Sequence, residues 1–451
     1  MSSATRVPRA RPRVMRNVRG GPAPSRRERA AGGEAGWRQR LREHPMSAYY
    51  VLLGSSMLLL ALGLMMVLSS SSVESIEIHN SAFTLFWRQA AFAAVGLAAM
   101  VALSRVPTRA FRRFALVALL ITAVMLLLVF VPGLGVGVHG QRNWIRLFGP
   151  FRLQPSEFAK LALIVWTAHT FALKDRLLNQ WRELAVPFLP VAAGLVLLVV
   201  AEGDLGTAII LGLIIAALLF VAGAPMRIFV GLGAVGLAGI GALSLTAGYR
   251  IERFRAWLDP ESDLDGAGWQ LTQGKYGLGA GSWWGVGLGG GREKWGALPE
   301  AHTDFIFSVI GEELGLIGAL TVVGLFAIIA TSALRMAIRT DDLFVRFTSV
   351  GIVAWLIGQA MVNLGAVLQL LPITGVPLPL VSYGGSSLLP TLMAVGVLLA
   401  FARREALLES AGSRLAAGDA PLRSPREAPR EAATAAFGRG SRIRRDRGRM
   451  Q

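Results

Sequence analysis

The chain has 451 residues, 53% of them hydrophobic and 16% charged, with a formal net charge of +18, a mean hydropathy of +0.52 and no cysteine. Its many apolar runs approach about 20 residues, the length that crosses a bilayer core as a helix, which excludes an ordinary soluble enzyme. The missing cysteine excludes disulfide and thiolate chemistry, and the positive charge does not mark a nucleic-acid binder: most of the excess lies in residues 1–45 and 403–451, flanking the apolar body, where arginine reads as a cytoplasmic-side signal with a secondary attraction to anionic lipid.

Residues 1–45, rich in Arg, Pro, Gly and Ala without apolar periodicity, read as a disordered basic cytoplasmic tail. The first apolar run begins near Ser47, without the short basic start and small-residue cleavage site of an export signal, and is expected as a retained span over about 47–68. Ser69–Ser72, Glu74 and Glu77 then form an outer loop. Spans over about 85–103 and 114–131 flank Arg105, Arg109, Arg112 and Arg113, which mark an inner turn. The glycine-rich outer loop that follows carries Arg142, Arg146 and Arg152, cations on the wrong side for the charge rule and hence candidate contacts for an anionic ligand.

Pro155 opens the fourth span, where its missing N–H costs nothing. Glu157 and Lys160 lie three apart on one helical face, and a pair facing lipid would lose its hydration, so both are expected to line a cavity. A fifth span, about 184–201, leads to the turn Glu202-Gly-Asp-Leu-Gly-Thr207, whose two acids could bind a cation but read more simply as solvated. A sixth span covers about 207–222. The seventh, about 228–248, is glycine-rich, as suits close helix packing.

Residues 249–303 form the longest loop, extracytoplasmic by span parity. Within it Gly285-Val-Gly-Leu-Gly-Gly290 spells a dinucleotide-binding motif, but no strand precedes it and no βαβ unit surrounds it. Trp257, Trp269, Trp283, Trp284 and Trp295, interleaved with glycines, read instead as a membrane-interface segment. The loop ends in Glu300, His302, Thr303 and Asp304 at the mouth of the eighth span, about 305–333, which holds Glu312 and Glu313. An ionised group at that boundary is costly unless a cavity or partner receives it. A helix cap is the plainer role for Thr303 or Asp304, yet the gathering of acids and an imidazole around one membrane entry makes Asp304 the lead candidate.

The ninth span, about 344–371, contains Gln359, Asn363 and Gln369, whose amides need an interior facing. Leu371–Ser387 then breaks regular helix with three prolines and a glycine pair, and irregular backbone at membrane depth is tolerated only where it lines a cavity or is buried in protein. The last span ends near Phe401, and 404–451 reads as a second disordered basic cytoplasmic tail. The expected fold is an all-α polytopic integral membrane protein, residues 46–403, with about ten transmembrane helices and the large 249–303 loop between helices 7 and 8.

Six ordered segments resemble the SEDS family (shape, elongation, division, sporulation), its division branch most: Gln141-Arg-Asn-Trp-Ile145, Gln154-Pro-Ser-Glu-Phe-Ala-Lys160, Asp204-Leu-Gly-Thr207, Pro299-Glu-Ala-His-Thr-Asp-Phe-Ile-Phe307, Gly311-Glu-Glu-Leu-Gly315 and Pro379-Leu-Val-Ser-Tyr-Gly-Gly-Ser-Ser387. The resemblance covers about residues 47–404. One position departs from it: Asn143 stands where a second adjacent Arg is usual.

The resemblance implies a peptidoglycan glycosyltransferase that polymerises lipid II during septal wall synthesis, in the bacterial cytoplasmic membrane at the division septum, with both termini cytoplasmic. It implies a class B penicillin-binding protein transpeptidase and other division proteins as partners, and no nucleic acid. Such chemistry needs a carboxylate to take the proton of the attacking hydroxyl, the role given to Asp304. It also needs positive charge at the departing pyrophosphate, for which Lys160, Arg142 and Arg146 stand, with Glu157 orienting Lys160. Glu300, His302, Thr303, Ser382, Ser386 and Ser387 are the remaining candidate substrate contacts. The sequence defines no metal site, although a divalent cation, Mg2+ or Mn2+, is compatible with pyrophosphate departure. The alternatives are an elongation-type polymerase, a lipid-precursor flippase or transporter, and a non-catalytic division scaffold. Against transport, no inverted repeat is evident and the charges sit at the outer mouth.

Overall fold

The structure, a computed structural model, describes residues 46–138, 141–148, 151–174, 181–246, 248–263, 266–295 and 298–416. The expected 1–45 tail and most of the expected C-terminal tail lie outside the described residues. Ten helices follow the ten expected spans: α1 Ser47–His79, α2 Thr84–Ser104, α3 Thr108–Leu128, α4 Pro155–Leu173, α5 Trp181–Ala201, α6 Leu205–Val221, α7 Met226–Thr246, α10 Ile306–Arg339, α11 Leu343–Val367 and α12 Gly385–Ala416. Two further helices, α8 Gly248–Leu258 and α9 Ala267–Ala280, fold the long loop.

Among these, α1, α2, α3, α10, α11 and α12 are long and apolar enough to cross a membrane, and α5, α6 and α7 contain shorter apolar stretches. The chain is a multi-pass membrane protein. Helix α4 carries Glu157 and Lys160, and its position makes them tolerable: it packs against α3, α5, α6, α11 and α12, with most of its residues buried. Around it, α12 lies along α2 and α1 along α10. Outward faces such as Leu116, Leu120, Ile121 and Val124 of α3 stay exposed and apolar, as lipid-facing residues must be.

Several boundaries differ from the sequence reading, each for a local reason. The glycine-rich loop after α3 is a small antiparallel sheet, β1 Gly135–Val138, β2 Gln141–Phe148 and β3 Phe151–Leu153 in the order β1-β2-β3, added to an otherwise helical body. Ser69–Ser72 and Glu74 continue α1 instead of looping. The hydroxyl of Ser70 donates back to Met66 O and that of Ser72 to Ser69 O, and the extension packs against α10. The helix α12 runs on through 404–416, a stretch given above to the tail, because Arg404 is held by Asp342 and Ala406 is buried.

Helix α7 does not use its glycines for close packing. Positions 231, 233, 236, 239 and 241 have nothing within 4 Å of an added Cβ, and Val235 and Leu237 are 73% and 74% exposed. Small residues permit close approach but do not create a neighbour.

Helix α10 is broken at Gly315, whose φ of 68° and ψ of −168° belong to a region open essentially to glycine. Residues 282–287 of the long loop fill the break. Val286 N donates to Glu312 O, Gly287 N to Glu313 O, and Leu316 N to Ser282 O. The strap thereby supplies partners for backbone groups that the interrupted helix leaves open.

Candidate active site

One end of the bundle opens into a cleft of about 1090 Å3, lined by β2, the turn after α5, α8, the α9 N-terminus, residues 299–304 and the irregular segment between α11 and α12. Asp304 lies in it, half-buried, two residues before α10. Its backbone is fixed from outside its own element: Asn363 Nδ2 on α11 donates to Asp304 O and to Val376 O, both at 2.9 Å. Burial, and next the neighbouring Glu300, push the Asp304 carboxyl up to about 6, against the opposing pull of Arg253 and His302. A carboxyl poised there is ionised at neutral pH and basic enough to take a proton.

Glu300 and Thr303 share the lining, with Thr303 Oγ1 donating to Glu300 Oε2 at 2.5 Å. Glu300 adopts a positive φ of 54°, within the turn that swings 299–304 across the α10 terminus. His302 faces away. Its Nδ1 sits 3.1 Å from Glu74 Oε2 on the extended α1, its ring packs on Tyr383, and its carbonyl accepts from Tyr383 N.

Glu312 and Glu313, grouped with Asp304 in the sequence reading, lie deeper and apart from the cleft. Glu313 pairs with Lys294 at 2.9 Å and accepts from Ser69 Oγ, while Glu312 Oε1 accepts from Arg292 N. The separation follows from helical rise, since eight residues at about 1.5 Å each put more than two turns between Asp304 and Glu312. Two sites therefore replace the single expected cluster.

The expected cationic contacts are placed elsewhere too. Lys160 is fully buried, 2.8 Å from Glu157 Oε1 and 2.9 Å from Gln359 Oε1, with its Nζ 5.0 Å from the Trp355 ring centroid. Neither Lys160 nor Glu157 lines the cleft. They sit behind its floor, where Gln359 Nε2 donates to Pro377 O. Arg142 and Arg146 are exposed and do not line it either, whereas Asn143 and Ile145 of the same strand are buried. Asn143, the departure from the usual motif, is one of three β2 residues that reach the cleft, with Gln141 and Trp144.

Of the three serines, Ser387 lines the cleft, while Ser382 Oγ accepts from Leu378 N and Ser386 Oγ from Gln154 N. Those two hold the irregular backbone together. The turn acids are not solvated as expected. Asp204, 7% exposed, caps α6 by accepting from Thr207 N, and its other oxygen accepts from Gln154 Nε2 and Thr207 Oγ1, both at 2.7 Å. Glu202, 2% exposed, has no hydrogen-bond partner on either carboxylate oxygen among the described residues. Burial first, and Asp204 second, push it up to about 9, so it is protonated at neutral pH.

Sequence reasoning passed over Arg253 and Arg255, both of which line the cleft from α8. The available signal is the run Arg250-Ile-Glu-Arg-Phe-Arg255, three arginines in six residues of an outer loop, against the charge rule. One of the loop's tryptophans, Trp257, is also an anchor: its Nε1 donates to Gln369 O at 2.9 Å and ties α8 to the irregular segment. Among the described residues no three metal-ligating side chains come together.

Comparison with known proteins points one way. The profile of a family described as cell cycle protein, FtsW/RodA/SpoVE, matches residues 50–407. The probable peptidoglycan glycosyltransferase FtsW of Mycobacterium tuberculosis is 42% identical over 361 residues, covering 80% of this chain and 69% of its own. Stage V sporulation protein E of Bacillus subtilis is 40% identical over 348 residues, covering 77% and 95%. Among solved structures, a chain described under "structural coordination of polymerization and crosslinking by a peptidoglycan synthase complex" matches with a TM-score of 0.65 at 29% identity, covering 78% of this chain and 97% of that one. The rod shape determining protein RodA of Thermus thermophilus matches at 0.58 and 28%, covering 79% and 97%.

Proposed function

The chain belongs to the FtsW/RodA/SpoVE family and is a peptidoglycan glycosyltransferase of that family; we propose that it polymerises lipid II in septal wall synthesis, with Asp304 as the general base. The observation that carries the assignment of the base is the recessed Asp304 carboxyl at about 6 in the mouth of a large polar cleft. The acceptor sugar hydroxyl gives its proton to Asp304 as its oxygen bonds the anomeric carbon of the donor. The bond from that carbon to the diphosphate breaks, and the electron pair leaves with the polyprenyl diphosphate. Asn363, gripping Asp304 O, holds the base in place, and Thr303 with Glu300 borders the acceptor side.

The cleft end is the extracytoplasmic end in this proposal. Arg105, Arg109, Arg335, Arg339 and Arg403, none of which lines the cleft, support this through the positive-inside rule, and on this reading the opposite end and both termini face the cytoplasm. The relative seen in a synthase complex coordinating polymerisation with crosslinking supports an assembly with a class B penicillin-binding protein transpeptidase and other division proteins. A Mg2+ or Mn2+ ion belongs to the proposal only as a companion of the diphosphate, and no step depends on it.

The test is the initial rate of lipid II polymerisation by purified protein with its transpeptidase partner, wild type against Asp304→Asn. The amide keeps size and capping ability but takes no proton, and a general base contributes about 10²–10⁴ in rate. A loss of that order with normal insertion and partner binding is the expected result. A rate within about threefold of wild type removes Asp304 from the chemistry.

A further inference from the structure

We propose that Arg253, with Arg255 at the rim, is the contact that binds the diphosphate of the lipid-linked donor. The inference rests on the glycosyl-transfer reading and assigns its leaving-group site. The cleft wall is mostly hostile to an anion: Asp204, Glu252, Asp263, Glu300 and Asp304 line it, and Arg253 and Arg255 are the cations among its described lining residues. The other cations that the sequence offered do not line the cleft: Lys160 is sealed behind the floor, and Arg142, Arg146 and Arg152 are exposed outside it. A diphosphate entering this cleft therefore meets favourable charge along the α8 wall.

The geometry across the cleft fits a displacement. Gly375 has a positive φ of 72°, and a Cβ placed on it would lie 3.8 Å from Asp304 Oδ2 and 3.9 Å from Arg253 Nη1. Carboxylate and guanidinium thus border one gap that a glycine keeps clear. Attack on an anomeric carbon puts the incoming oxygen and the departing oxygen on opposite sides of that carbon. A base and a leaving-group cation must accordingly both border the reacting centre, and Asp304 and Arg253 both border the Gly375 position.

Arg253 is also held for the task. It is half-buried, and its helix is tied by Trp257 Nε1 to Gln369 O, on the same irregular segment that carries Gly375. A planar guanidinium can bridge two phosphate oxygens at once, which an ammonium cannot do in the same way. Arg255, exposed at the rim, serves the entry of the charge more than its final seat.

The test separates binding from turnover. Farnesyl diphosphate and farnesyl monophosphate are the probes, titrated by fluorescence into detergent-purified full-length protein and used as inhibitors of polymerisation. Arg253→Ala is expected to weaken diphosphate binding at least about tenfold with little change for the monophosphate, and Arg255→Ala by about two- to threefold. Arg253→Lys guards against a folding defect and is expected to fall between wild type and Ala, since charge is kept and the fork is lost. Wild-type affinity for the diphosphate in folded Arg253→Ala and Arg253→Lys overturns the proposal, as does a wild-type protein that does not bind the diphosphate. Wild-type protein that binds the diphosphate in an Arg253-dependent way but forms no glycan polymer leaves this site standing and removes the polymerase reading.

Discussion

Lys160 Nζ stands 2.8 Å from Glu157 Oε1 in a chamber closed to the cleft, with Gln359 and Trp355 as its other neighbours. The pair supports the floor, because Gln359 also holds Pro377 O and Pro377 lines the cleft. Removing one member strands a buried charge, at a cost of about 3–5 kcal/mol, whereas replacing both with neutral groups of similar volume removes the stranded charge altogether. Lys160→Met and Glu157→Gln singly should therefore lower the thermal midpoint in detergent more than the double variant does. Additive losses in that cycle show that the two residues act independently.

The acid limb of the polymerisation rate should belong to Asp304. Its charged form is the active one, and its carboxyl stands at about 6, raised by burial and Glu300 and lowered by Arg253 and His302. The rate should hold above that value and fall as pH drops through it, approaching a tenfold loss per unit. Glu300→Gln removes a raising charge, so the limb should move to lower pH. A limb that stays in place in kcat/KM profiles on lipid II assigns the titration to another group.

Gly315 should accept no side chain. A Cβ there would lie 2.4 Å from Gly285 N and 2.5 Å from Trp283 O, at a backbone conformation that costs about 1–3 kcal/mol for other residues. Gly315→Ala should expel the 282–287 strap and expose it to protease. Limited proteolysis reads this directly, and cleavage at the wild-type rate would mean that α10 absorbs the change.

Asp342 ties three helices together at the end opposite the cleft: it caps α11 through Phe344 N and accepts from Arg112 and, at 2.6 Å, from Arg404. Burial pushes its carboxyl up, but the Arg404 hydrogen bond and the charges of Arg112 and Arg404 bring it below its ordinary value. A depressed carboxylate stabilises the fold above the unfolded pKa and loses that contribution as pH falls through the folded one. Asp342→Asn keeps the cap, so about 1 kcal/mol should be lost near neutral pH, the partners being part-exposed, with the difference from wild type held down to the ordinary carboxylate value of about 4 and lost below it, as pH falls through the depressed one. Thermal midpoints of both proteins across that range check it, and a gap that persists at the acid end contradicts the linkage.

The sequence by itself determined the ten-helix plan, the broken segment before α12 and the place of Asp304 at a polar-to-apolar boundary. Each is a consequence of local composition: apolar runs of bilayer length, prolines that cannot continue a helix, and a carboxylate that must be received by something where water ends. It marked Lys160 and Glu157 as a pair and turned the pair toward a cavity, whereas neither residue lines the cleft. Tertiary structure decided that α4 lies inside the bundle with the pair behind the floor, that β2 buries Asn143 and leaves Arg142 exposed, and that α8 brings Arg253 to the gap beside Asp304. It also decided that Glu202 and Asp204 are buried. These are matters of facing and of contacts between residues far apart in the chain, such as Asn363 with Asp304 and Trp257 with Gln369. Periodicity fixes which residues share a face of one element, but the neighbour that the face meets is set by how all the elements pack.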